Sequence, residues 1–138
     1  MEFTTLTGRK KKLTSLKRYL IKWEDKSRSK FQKSVKDFLY KYWKHDVVFE
    51  EFRMAGTKLS FDFYNSNKRI AIEVQGIQHE KHVEFFHGKG TRKWLSQIKK
   101  DLSKHKFCEI NNITLIEIFS DEEISFNLFK EKGIDLLC

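Results

Sequence analysis

Apolar residues recur at two different periods along this chain. In "SKFQKSVKDFLYKYW" the residues Phe31, Val35, Phe38, Leu39, Tyr42 and Trp43 fall on one stripe at helical spacing, and the serines ahead of them can cap the first turn. That pattern predicts a core helix. The period then shortens: "VVFEEF" reads as a strand, and "GTKLSFDFY" and "RIAIEVQG" read as two alternating strands joined by the polar turn "NSNK". The chain becomes polar and glycine-bearing over residues 78–93, and a helix is predicted over about 94–111. "ITLIEIF" is a continuous apolar run of the kind found in buried strands. Ser120 and Glu123 fit a capping box, which predicts a last helix running to Lys132 and stopping at Gly133. The expected order is therefore helix, three strands, helix, strand, helix.

Ahead of these elements, residues 1–28 form a basic arm. Within it "LTSLKRYLIKW" sets Leu13, Leu16, Leu20 and Trp23 at roughly helical spacing, with Lys17, Arg18 and Lys22 facing elsewhere. The segment either folds as a short amphipathic helix or runs as a solvated terminus. Residues 29–138 make up the main domain.

A chain of 138 residues defaults to one compact core. Its 28 Lys and Arg against 19 Asp and Glu give a formal charge of +9, a field that favours polyanions, either nucleic acid or an anionic membrane surface. No apolar run approaches the roughly 20 residues that span a bilayer, and "MEFTTLTGRKKK" lacks the apolar core of a signal peptide. The expectation is a soluble cytoplasmic protein that meets nucleic acid rather than membrane. Cys108 and Cys138 match no metal-ligand spacing or disulfide framework and are expected as free thiols.

Candidate chemistry enters with the hairpin. Strand alternation puts Phe61 and Phe63 on one side and Ser60, Asp62 and Tyr64 on the other, while Ile70, Ile72 and Val74 oppose Ala71, Glu73 and Gln75. If Tyr64 pairs with Arg69, Asp62 lies opposite Ala71 and Glu73 is its diagonal neighbour, about 7–8 Å away. Two carboxylates that converge this way suit a shared Mg2+, with Mn2+ able to substitute, which can bind a phosphate oxygen and activate a water for in-line attack. The plainer alternative is a pair of acids on the solvated face of an antiparallel sheet. Against it, Asp and Glu are poor strand formers, and both sit among strongly apolar neighbours.

At these residues the sequence resembles the PD-(D/E)xK nuclease superfamily: Asp62 matches the first acid and Glu73 the second, while Gln75 occupies the lysine slot, a Glu-x-Gln variant of the motif. The resemblance covers residues 29–120. More narrowly, "FEEFRMAGTKLSFDFYNSNKRIAIEVQGIQHEKHVEFFHG" followed by "FCEINNITLIEI" is similar to small phage nucleases, including free-standing and intron-associated homing endonucleases, and to the group containing very-short-patch repair endonucleases. It implies an α/β fold with a restriction-endonuclease-like core, in which helices flank a central mixed sheet. It also implies a Mg2+-dependent endonuclease that hydrolyses double-stranded DNA in the cytoplasm, the host's if the gene is phage-borne.

On a wheel, the predicted helix over 94–111 gathers Trp94, Leu95, Ile98 and Leu102 into an apolar sector, with Gln97, Asp101, Lys104 and Cys108 as a stripe along its edge. Nucleases of this type present such side chains to the metal or the scissile phosphate, so the resemblance makes Gln97, Asp101 and Lys104 catalytic candidates, with Lys104 the stand-in for the missing lysine. A solvated helix with an Asp101–Lys104 pair is the alternative. His79 directly follows the third strand and could orient a water, contact phosphate or bind metal, or be an ordinary loop residue. The candidate phosphate contacts are Arg9, Lys10, Lys11, Lys12, Lys17 and Arg18 in the arm, with Lys89, Arg92 and Lys93 around the glycine loop. Glu50, Glu51, Gln32 and Asp37 are further polar residues near the expected sheet, and none is assigned a role. Two other functions compete with a homing-type nuclease: a mismatch- or junction-selective nuclease, and a binding module without catalysis. One site per chain against two strands of DNA suggests a homodimer or higher homo-oligomer, or sequential nicking.

Overall fold

The computed structural model describes residues 1–77 and 91–137. Among these are two strands of an N-terminal hairpin, β1 (Glu2–Thr4) and β2 (Lys10–Lys12), then α1 (Lys30–Trp43), β3 (Val48–Arg53), β4 (Ser60–Asn65), β5 (Ile70–Gln75), α2 (Thr91–Ile110), β6 (Thr114–Phe119) and α3 (Phe126–Glu131). The main sheet has the order β3-β4-β5-β6. β3, β4 and β5 run antiparallel in turn, and β6 lies parallel to β5 at the far edge. A parallel neighbour needs a crossover, and α2 lies on it between β5 and β6. The chain is a mixed α/β protein built on a four-stranded mixed sheet with three helices among the described residues.

Helices cover both faces. Val35, Leu39 and Trp43 of α1 and Phe129 of α3 pack with Phe63, Ile72, Ile116 and Ile118 on one face. Phe107 and Cys108 of α2, together with Phe3 of β1, pack with Phe49, Phe52, Phe61, Tyr64 and Ala71 on the other. The start of α1 is fixed as its sequence dictates, since Ser29 accepts from the Gln32 N–H at 3.0 Å.

The N-terminal segment departs from expectation. Residues 13–23 form no amphipathic helix; they run past a single 3-10 turn at Lys17–Tyr19, and Leu20 bridges to Phe49. Their apolar side chains serve two different faces, with Leu13 and Leu16 against the α2-side cluster and Ile21 inside the α1-side cluster. Helical spacing implies one shared partner surface, and here there are two. A tight turn closes the hairpin ahead of them through Gly8, at φ 86, a conformation open to glycine at little cost. Phe3 is 3% exposed, so the basic arm is packed against the sheet rather than extended from it.

The hairpin register also differs. Asn65 pairs with Ile70, Tyr64 with Ala71 and Phe63 with Ile72, so Tyr64 does not face Arg69. Asn65 explains the shift: it stays in the strand, and its side chain accepts the Lys68 N–H at 3.0 Å, leaving Arg69 to take the left-handed position at φ 56. Strand alternation then slips at Asp62, because Phe61 belongs to the α2-side cluster and Phe63 to the α1-side cluster. The neighbouring position on β3 is Glu51, whose φ of 52 interrupts the pairing between Glu50↔Phe63 and Phe52↔Phe61. Ile70, Ile72 and Val74 do oppose Ala71 on β5, as alternation predicts.

Near the C-terminus, Ser120 and Glu123 do not cap the last helix. Ser125 does, accepting the Leu128 N–H at 3.1 Å, because Glu122 turns back to accept the Phe119 N–H at 2.9 Å and delays the helix. The stop at Gly133 holds, with φ 89. On α2, Leu95 and Leu102 of the expected apolar sector are 50% and 62% exposed and do not face the core; among the described side chains of this helix the buried ones are Phe107 and Cys108, nearer its end.

Candidate functional site

The shifted register places Asp62 across from Glu73, one step beyond the Phe63↔Ile72 pair. Both are buried, at 3% and 6% exposure. The strands no longer exchange backbone bonds here in the regular way. Instead Asp62 Oδ2 accepts the Val74 N–H at 2.7 Å, a charge-assisted bond that locks the carboxylate beside β5. Asp62 Oδ1 faces Arg28, whose guanidinium lies 3.3 Å from it and 3.6 Å from Glu51 Oε2. The Asp62 carboxyl is near enough to Glu73 to push its proton affinity up.

Glu73 has a second neighbour. The ammonium of Lys104, from α2, forms an ion pair with Glu73 Oε1, an oxygen otherwise without a hydrogen-bond partner among the described residues. Burial pushes the Glu73 carboxyl up to about 8; Lys104 pulls it back and Asp62 pushes it further up. One turn below Lys104, burial and the Glu73 charge push the Cys108 thiol up to about 12, so it stays neutral and offers no thiolate at ordinary pH. Cys108 is a free thiol.

The other candidates are scattered. Gln75 is half-buried at the end of β5, two residues beyond Glu73. Gln97 is exposed and donates to Asp101 at 3.3 Å. It precedes Lys104 by seven residues, about 10 Å of helix rise. Arg9, Lys10, Lys11, Lys12, Lys17, Arg18, Arg92 and Lys93 are all exposed. His79 and Lys89 lie outside the described residues, as does Cys138.

Sequence patterns gave no weight to the residues that border this site on the α1 side. Gln32 is buried and donates to Glu50 at 2.9 Å and Glu51 at 3.0 Å. Lys36 has no exposed surface and pairs with Glu50 Oε1 at 2.9 Å. The available signal was the Gln32–Lys36 spacing of four, which sets one polar pair beside the apolar stripe of α1. Arg28 carried no signal, since it lies in a polar run before the helix. Among the described residues, no group of three or more His, Cys, Asp or Glu side chains is arranged to hold a metal, and no helix is long and apolar enough to cross a membrane.

No family model and no solved structure matches the chain. It is similar to two viral proteins. Uncharacterized protein 307L of Invertebrate iridescent virus 6 is 31% identical over 99 residues, which is 72% of this chain and 47% of that protein. Uncharacterized protein 094L of Frog virus 3 (isolate Goorha) is 36% identical over 64 residues, 46% of this chain and 41% of that protein. The chain spans less than half the length of either relative.

Proposed function

We propose that the chain is a metal-dependent DNA endonuclease with a restriction-endonuclease-like core, carried by a virus, a phage or a mobile element. The observation that carries this is the buried Asp62–Glu73 pair on adjacent strands with the Lys104 ammonium against it. Two carboxyls forced together away from water are costly without a cation, and the upward push on Glu73 expresses that cost. Their hard oxygen donors suit Mg2+ or Mn2+, ions that keep several waters and need few protein ligands. Asp62 and Glu73 would hold the ion, which when bound neutralises phosphate charge and makes a water more acidic.

The chain's own residues do the rest. The Val74 N–H fixes the direction of Asp62. Lys104 brings a positive charge to the position where negative charge develops on phosphate, so Gln75 can be neutral and orient groups by hydrogen bonds alone. The viral origin of the similar proteins supports a virus-borne gene.

The test is supercoiled plasmid incubated with the protein and Mg2+ or Mn2+. Nicking or linearisation by the wild type, lost in Asp62→Ala and Glu73→Ala, is the expected result. A wild type that shifts the plasmid without ever cutting it, under either metal and with branched or mismatched substrates as well, sinks the enzymatic assignment and leaves a binding module.

A further inference from the structure

We infer that a groove between the N-terminal hairpin and the β3–β4 turn is the track for a nucleic-acid backbone, and that it leads the strand toward the acid pair. This rests on the nucleic-acid part of the proposed function and not on cleavage. The groove encloses about 550 Å3. Lys11, Lys12, Arg18, Arg53 and Lys58 line it, and no Asp or Glu does. Its floor is apolar, with Leu13, Leu16, Met54 and Ala55.

Charge is what identifies the occupant. Several lysines elsewhere in the fold are paired with an acid, Lys36 with Glu50, Lys104 with Glu73 and Lys33 with Asp37, whereas the groove gathers its cations with no acid among them. Among the described residues, no ion pair engages Lys11, Lys12, Arg53 or Lys58, and all four are exposed. Like charges collected along one groove repel, and a polyanion relieves that repulsion while releasing its own counterions. Arg18 lies over the Tyr19 ring at 4.8 Å and donates to its hydroxyl at 2.8 Å, so this cation stands fixed at the groove wall.

Direction comes from the neighbouring cavity. A second space of about 380 Å3 shares Arg18, Tyr19, Arg53 and Lys58 with the first, and its other lining residues are Glu50, Glu51 and Ser60. Glu51 is joined through Arg28 to Asp62, and Ser60 lies two residues before Asp62 on β4. The cationic groove thus opens at one end onto Glu50 and Glu51, and Arg28 bridges from Glu51 to Asp62. A phosphate chain laid along Lys11, Lys12, Arg53 and Lys58 would meet Glu51 and the Arg28 guanidinium at that end, the link to Asp62.

The experiment is binding of a fluorescent oligonucleotide by the full chain in EDTA, across a salt series, so that cleavage plays no part. The quadruple variant Lys11→Ala/Lys12→Ala/Arg53→Ala/Lys58→Ala is compared with Lys41→Ala/Lys44→Ala/Lys99→Ala/Lys100→Ala, which removes the same charge from other exposed positions. The groove variant should bind roughly 10- to 100-fold more weakly, and its log–log salt slope should fall by about 3 to 4, near one per lost phosphate contact. The second variant should keep most of the slope. Equal losses in both variants, no loss in the groove variant, or wild-type binding to phosphatidylserine vesicles in preference to the oligonucleotide each overturn the groove. Binding that behaves as expected in a protein that never cuts DNA retains the groove and removes the nuclease.

Discussion

Two acid–ammonium pairs, each with one buried partner, lie against opposite faces of the sheet, and they differ in how fully their oxygens are used. On the α1 face, Glu50 accepts from Ser27 at 2.6 Å, from Gln32 at 2.9 Å and from Lys36 at 2.9 Å, while Lys36 also donates to the Asp25 carbonyl at 3.0 Å. That network is saturated. On the α2 face, Glu73 has Lys104 on one oxygen and a second carboxyl, Asp62, as its other close neighbour. A saturated pair fixes structure, whereas an under-supplied pair that includes a like charge has room for an incoming cation. Under the proposed function, the difference favours Glu73 over Glu50 as the residue that meets the ion, although Glu50 lies nearer the cationic groove.

The sharpest way to break this contrast is to remove the acids. Asp62→Ala and Glu73→Ala should each reduce cleavage to background while circular dichroism and oligonucleotide binding stay near wild type. Wild-type turnover by either variant under saturating Mg2+ removes that residue from the site. Next in size is the saturated pair. Lys36→Ala leaves the partly buried Glu50 without its counter-charge and should lower unfolding stability by about 1–3 kcal/mol in a denaturant titration. A loss below about 1 kcal/mol would show that the network contributes little and that saturation is a poor marker of a structural role.

Lys104→Ala tests the other ammonium through a different readout. Here cleavage should slow by roughly 10- to 1000-fold with oligonucleotide affinity little changed, because the charge acts on the transition state. Full activity would leave Lys104 as a packing partner of Glu73 only. A loss of stability like that of Lys36→Ala, with cleavage per folded molecule intact, would make the two pairs equivalent and dissolve the contrast.

Much of this arrangement was legible in the sequence where one period governs a long element. α1 shows its cap at Ser29 and its buried stripe, β5 shows its alternation, and a wheel is enough to put Lys104 on the edge of α2 that meets the sheet. What could not be read depends on single backbone torsions and on which layer lies over which residue. The left-handed Arg69 sets the hairpin register, and the left-handed Glu51 sits where Phe61 and Phe63 part to opposite faces. Neither residue type announces that conformation. Leu13, Leu16 and Trp23 keep helical spacing while packing against different surfaces, so their periodicity carried a helix that does not form. Arg28 and Lys36 matter through contacts with strand residues distant along the chain, which local spacing does not specify.

The last expected effect is a pH dependence, spread over several pH units, and its sign separates the two pairs. Glu73 is raised from 4.5 in the unfolded chain to about 8 in the fold. Below about pH 4.5 it is neutral in both states and its contribution to stability is fully present. As pH rises, the unfolded chain releases this proton first, so metal-free stability falls, by at most about 1.4 kcal/mol per pH unit, and the fall ends as pH passes about 8. Cys108, raised from 9.0 to about 12, stays a thiol in the fold throughout that window and adds only slightly to the slope near pH 8, where the unfolded thiol begins to ionise. Other groups titrate in the same range, so the measurement is a difference: denaturant midpoints of wild type and Glu73→Gln in EDTA at pH 5, 6.5 and 8. The wild type should lose ground to the glutamine variant with each step, while Lys36→Met measured the same way should show no such trend with Glu73 intact in both proteins. Mg2+ should restore the wild type more at pH 8 than at pH 5, because the ion favours the ionised carboxylate and a proton must leave for it to bind. A difference between wild type and Glu73→Gln that is flat with pH would mean that Lys104 already satisfies Glu73, as Lys36 satisfies Glu50, and the pair on the α2 face would then be as closed to a cation as the one on the α1 face.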